Sequence, residues 1–149
     1  MKARTNNMVG TVDLLDLGKN FKPEGVKSGG AYFKNKEHQE FYQKMIIATG
    51  SSVQNTGRLA LFYLLASLDK VRERPGKYFF FQKMKPNPRA FKELDFPGEK
   101  ALLQLALSFY SEKELFKIGV LDLFNNLDKE EARIAITAIK LKYSLEMVP

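Results

Sequence analysis

Aromatic and apolar side chains recur at helical spacing along the chain from Asn35 onward. The first set, at positions i, i+3, i+4 and i+7, comprises His38, Phe41, Tyr42 and Met45. This spacing places the four side chains on one face of an α-helix. Asn35 belongs to the residue class that caps helix N-termini, and Gly50–Ser52 is a natural break. The pattern therefore predicts a helix between these two points.

The run Leu59–Ala66 is apolar on every side. Eight such residues are also compatible with a buried strand, but Ala and Leu dominate the run and β-branched residues are absent. We therefore expect a helix that is buried on most of its surface.

The C-terminal half carries three more helical patterns. One runs from Ala101 to Tyr110, with Pro97 placed where a first-turn proline is tolerated. The next begins at the capping box Ser111–Glu114, and its predicted core stripe is Phe116, Val120, Leu123, Phe124 and Leu127. The last begins at Asp128, and its predicted core stripe is Ile134, Ala138, Leu141 and Leu145. Together the patterns predict an all-α fold, a compact bundle of about five helices.

Residues 1–30 contain five glycines and a proline, and no helical period lasts two turns there. We expect a flexible N-terminal arm, residues 1–30, followed by a single helical domain, residues 31–149. One apolar patch in the arm is suited to docking on the domain or on a partner; its residues are Val12, Leu14, Leu15 and Leu17.

The positive charge of the chain is concentrated in one segment, Lys70–Lys92, which we call the basic segment. It has eight basic residues and one acid, Glu73, so its charge of +7 equals the formal net charge of the whole protein. Five aromatic residues lie among these charges: Tyr78, Phe79, Phe80, Phe81 and Phe91. Such a concentration of charge indicates a surface for an anionic partner.

Cations and rings occurring together are typical of nucleic-acid binding, because cations displace counterions from phosphate and rings stack on bases. Core packing is an equally good explanation for three consecutive phenylalanines, and Tyr78–Phe81 is compatible with strand or helix. The predicted phosphate contacts are Arg72, Arg74, Lys77, Lys83, Lys85 and Arg89. The rings expected to be exposed are Tyr78 and Phe91.

Catalytic and cofactor signatures are absent from the sequence. It has no cysteine and one histidine, so a zinc site and a thiolate nucleophile are not expected. We expect His38 to be a partly buried, hydrogen-bonded core residue. The glycines match no phosphate-binding motif, and no apolar run approaches the roughly 20 residues that span a bilayer. We therefore expect a cytoplasmic, non-enzymatic protein without cofactor, metal or membrane partner.

Several segments resemble a small uncharacterised family, a domain of unknown function found in Gram-positive bacteria and their phages. The likeness covers about residues 32–144 and is carried by Phe33–Tyr42, Ala60–Tyr63, Leu102–Ala106, Phe109–Tyr110, Leu115–Phe116 and Ala138–Tyr143. The resemblance implies a phage or mobile-element setting. It implies no activity.

Two functional hypotheses follow. The first is an accessory protein that engages nucleic acid or a nucleoprotein through the basic segment. The alternative is an inhibitor or regulator of a host protein, such as a defence factor or toxin, that uses the N-terminal arm together with the basic segment. Deleting residues 1–30 should weaken the second function strongly and the first only slightly.

Overall fold

The computed structural model describes residues 30–110 and 117–146, without the side chain of Phe91. In these residues the only strands are two-residue segments, so the fold is all-α, as the helical periodicity predicts. In chain order the elements are α1 (Lys36–Ala48), α2 (Thr56–Ala66), α3 (Asp69–Glu73), α4 (Pro75–Tyr78), β1 (Phe79–Phe80), β2 (Lys85–Pro86), a 3-10 helix (Pro88–Glu93), α5 (Pro97–Tyr110), α6 (Val120–Asn125) and α7 (Lys129–Lys142).

Helix α2 forms the centre of the molecule, and α1, α5 and α7 pack around it. Every residue from Ala60 to Ala66 is fully buried, which confirms the prediction made from the apolar run. Burying a leucine or phenylalanine side chain contributes about 1.5–3 kcal/mol. A helix with apolar residues on all sides is therefore stable only when it is enclosed in this way.

The predicted helix starts are confirmed at both ends of the described domain. The Asn35 side chain accepts a hydrogen bond from the His38 backbone N–H at 2.8 Å. Asp128 and Glu131 form a reciprocal capping box at the start of α7. Helix α5 begins at Pro97 itself, four residues before the apolar pattern starts at Ala101.

Two predicted core positions are wrong. Val120 is 70% exposed, because α6 has only six residues and its first turn projects from the bundle. Leu145 is exposed because α7 ends at Lys142 and the chain turns away at Ser144, whose φ is +55°. The predicted capping box Ser111–Glu114, Phe116 and the arm's apolar patch all lie outside the described residues.

Candidate nucleic-acid interface

A short β-hairpin forms the middle of the basic segment. Strands β1 and β2 pair antiparallel, with Phe79 opposite Pro86 and Phe80 opposite Lys85. Successive side chains of a strand point to opposite faces, so Phe79 is fully buried whereas Phe80 is 43% exposed. Residues directly opposite each other share a face, and the hairpin therefore presents the Phe80 ring and the exposed Lys85 side chain on the same outer side.

The inner side of the hairpin is fixed to the helical core. The Phe79 ring packs at centroid distances of 5.3 Å from Phe62, 5.0 Å from Phe81 and 6.0 Å from Tyr110. The Tyr110 hydroxyl donates a hydrogen bond of 2.9 Å to the Met84 carbonyl oxygen in the turn. Ring packing and this hydrogen bond together attach both β1 and the turn to α2 and α5.

Asn87 fixes the point where the chain leaves the hairpin. Its backbone N–H donates to the Tyr78 carbonyl at 2.9 Å, and its side-chain amide donates to the Lys77 carbonyl at 2.8 Å. The amide oxygen accepts from the Arg89 backbone N–H at 3.2 Å. One side chain thus connects the end of α4 to the start of the 3-10 helix and sets where Arg89 lies.

Three of the eight basic side chains are engaged in ion pairs within the fold. The Lys70 ammonium lies 3.1 Å from Asp95, and that of Lys77 lies 3.0 Å from Glu93. The third is Arg72.

Arg72 pairs with Asp69 and also donates a 2.6 Å hydrogen bond to the Ala66 carbonyl at the end of α2. Its guanidinium therefore ties α3 back onto the central helix. Arg72 and Lys77 are both predicted phosphate contacts, and in the structure each forms an ion pair with a carboxylate of the same chain.

The other five basic side chains are all exposed, and no carboxylate among residues 30–110 and 117–146 forms an ion pair with them. Those residues are Arg74, Lys83, Lys85, Arg89 and Lys92. Four of them are predicted phosphate contacts. The structure places Lys83 in the turn of the hairpin and Lys85 on β2, while Arg74 precedes the hairpin along the chain and Arg89 follows it.

The prediction that Tyr78 is exposed is wrong, since only 3% of its surface is accessible. Tyr78 ends the helical turn α4 and points into the core, and this burial raises the pKa of its hydroxyl. Phe91 lies in the 3-10 helix, and its side chain is outside what the structure describes. Among the rings of the basic segment whose side chains the structure describes, the exposed one is Phe80, which sequence reasoning did not single out.

An open cleft of about 310 Å³ lies beside Phe80, and its lining is mainly apolar. Its lining residues are Gly76, Phe79, Phe80, Phe81, Gln82 and Lys83. A Cβ atom added at Gly76 would meet no other atom within 4 Å. Gly76 could therefore carry a Cβ atom without a steric clash.

His38 is the hydrogen-bonded core residue that the sequence predicts. Its Nδ1 accepts from the Lys34 backbone N–H at 3.2 Å, and its Nε2 donates to the Tyr63 carbonyl at 2.9 Å. Burial, with a smaller contribution from nearby Lys34 and Arg72, lowers the pKa of His38 to about 4. The ring is fully buried, so it is neutral at physiological pH and presents no atom to solvent.

Within the described ranges, no three His, Cys, Asp or Glu side chains are grouped so as to hold a metal ion. None of the helices in those ranges combines the length and hydropathy needed to cross a bilayer.

Fold and surface define a small α-helical protein that carries an anchored, positively charged hairpin. The chain belongs to DUF6075, a family of unknown function whose model matches residues 29–148. This agrees with the resemblance to an uncharacterised family. No curated protein and no solved structure gave a significant match.

Proposed function

We propose that this protein is a non-enzymatic accessory protein that engages nucleic acid or a nucleoprotein through the exposed part of the basic segment. The observation that carries the proposal is the group of unpaired, exposed cations on and beside the anchored hairpin, next to an outward aromatic ring. The setting in a phage or mobile element of a Gram-positive bacterium rests on the sequence resemblance.

The arrangement suits a phosphate backbone for a physical reason. Cations already paired with carboxylates gain little from a new anion, because the existing pair must be broken first. Unpaired, solvated cations release the counterions of the nucleic acid instead. If Arg74, Lys83, Lys85 and Arg89 each contact one phosphate, the affinity for duplex DNA should fall with salt with a log–log slope of about −3.6.

The test is fluorescence anisotropy with labelled duplex and single-stranded DNA and RNA, at low and physiological salt. Lys83→Glu/Lys85→Glu should abolish binding without lowering helicity by circular dichroism. The matched control is Lys100→Glu/Lys129→Glu, which makes the same change in net charge at exposed positions on α5 and α7. Absence of wild-type binding at low salt, or equal losses in both double variants, would contradict the proposal.

One observation favours the alternative of a protein-binding inhibitor or regulator. Val120 and Leu121, on the short helix α6, are two of the most exposed apolar side chains in the described residues. Under this alternative, Val120→Ser/Leu121→Ser or deletion of residues 1–30 should reduce binding to a host protein. Val120→Ser/Leu121→Ser should leave the affinity for nucleic acid unchanged, and deletion of residues 1–30 should lower it only slightly.

A further inference from the structure

The cleft beside Phe80 has the dimensions of a small-ligand site. Its volume of about 310 Å³ lies at the lower end of the range of about 300–1,000 Å³ that is typical of pockets for small molecules. Apolar side chains line most of it, and Gln82 and Lys83 add polar groups. It therefore suits a flat ring system whose faces are apolar and whose edges form hydrogen bonds.

The charges around the cleft indicate which ring system that is. Lys83 lines the cleft and Lys85 shares the outer face with Phe80, and both are unpaired within the described residues. An apolar side chain of a protein partner would form no ion pair with Lys83 or Lys85. A nucleotide supplies a base for the ring and phosphates for the two cations.

Exposure of the Phe80 ring favours single-stranded over duplex nucleic acid as the ligand. In a duplex the faces of the bases are covered by stacking, whereas an unpaired base offers its π-face to an aromatic side chain. The amide of Gln82 carries both donors and an acceptor for the edge of such a base. Because Phe79 and Tyr110 hold the hairpin on the core, little ordering of the site is needed on binding.

We propose that this cleft accepts one unpaired base of a single-stranded nucleic acid. Phe80 stacks on the base, and the flanking phosphates lie against Lys83 and Lys85. This inference rests on the proposed function and adds to it a base contact that single strands can make and duplexes cannot.

Two pairs of variants test the cleft, each read by anisotropy with a single-stranded oligonucleotide and with the matching duplex. Phe80→Ala removes the stacking ring, and Phe80→Leu keeps an apolar side chain but removes the aromatic face. Gly76→Leu adds a bulky side chain at a residue that lines the cleft, and Gly76→Ala is its control, because a Cβ there meets nothing within 4 Å.

Single-strand affinity should fall by about 5- to 140-fold in Phe80→Ala, the range expected for the loss of one stacked base. Phe80→Leu and Gly76→Leu should also weaken it, while Gly76→Ala should bind like the wild type. Duplex affinity should not change in any of the four, and thermal unfolding should show that all four are folded.

The inference is overturned if Phe80→Ala and Gly76→Leu bind the single strand like the wild type. If Lys83→Glu/Lys85→Glu still abolishes binding in that case, the proposed function stands and only the base site fails. Equal losses for single strand and duplex would also overturn it. If the wild type binds no nucleic acid at low salt, both proposals fail, and an apolar side chain of a protein partner becomes the occupant to test.

Discussion

Acidification should destabilise the protein through His38. In the folded protein the ring is buried between α1 and α2 and its pKa is about 4, whereas in the unfolded chain the pKa is about 6.5. As the pH falls, the unfolded state therefore binds a proton first. His38 contributes its stability above pH 6.5, and this contribution is lost as the pH falls towards 4.

The size of the effect follows from the two pKa values. The full difference corresponds to about 3 kcal/mol, and about 2 kcal/mol of it should be lost between pH 7 and pH 5. Other groups titrate as well, so the comparison requires a variant that cannot take up a proton at position 38. His38→Gln is suitable, because its amide N–H can still donate to the Tyr63 carbonyl.

The assay is chemical denaturation of the wild type and His38→Gln at both pH values. The wild type's free energy of unfolding, relative to that of the variant, should decrease by about 2 kcal/mol from pH 7 to pH 5. A difference independent of pH would refute the reasoning. Because the chain has a single histidine, NMR titration of its ring in the wild type provides a second measurement, and a folded-state pKa near 6.5 would refute it directly.

Three other substitutions test contacts in the core and at the hairpin. Gly98→Ala would place a Cβ atom against the Glu131 carboxylate, so it should lower the unfolding temperature. The decrease should be smaller in a Glu131→Ala background, where the clashing carboxylate is absent. Phe79→Ala should reduce the free energy of unfolding by about 3–5 kcal/mol, and a loss below about 1 kcal/mol would contradict its burial. Tyr110→Phe removes the hydrogen bond to Met84 and should cost about 1 kcal/mol, with faster amide exchange in the hairpin.

Local patterns were sufficient to predict α1, α2, α5 and α7, and the capped starts of α1 and α7. Asn35 and Asp128 each cap a backbone N–H three residues further on, so the whole interaction lies within one short stretch of sequence. The burial of Ala60–Ala66 was predictable for a similar reason, because a helix with no polar face has no side to leave in water. Leu145 was wrong because the period was extended past the end of α7 at Lys142, and Val120 was wrong because the first turn of α6 is not covered by neighbouring elements.

The basic segment shows where local patterns stop being informative. Lys77 is paired with Glu93, sixteen positions away, and that pairing exists only once α4 and the 3-10 helix have been brought together. Tyr78 and Phe79 are both buried because the chain changes from a helical turn to a strand between them. Phe80 points outward because successive side chains of a strand lie on opposite faces. This orientation could not be predicted from a segment that was compatible with either strand or helix.

The register of the hairpin has a consequence for how this surface can vary among related chains. Phe79 and Phe80 are neighbours that serve opposite sides of the hairpin, so inserting one residue before the turn would exchange their orientations. Such an insertion would expose a core ring and bury the outer one. Homologues should therefore keep the number of residues between β1 and β2, because an insertion or deletion in residues 81–84 would shift the strand register. The length of this loop should thus be as invariant among related chains as the buried ring of Phe79.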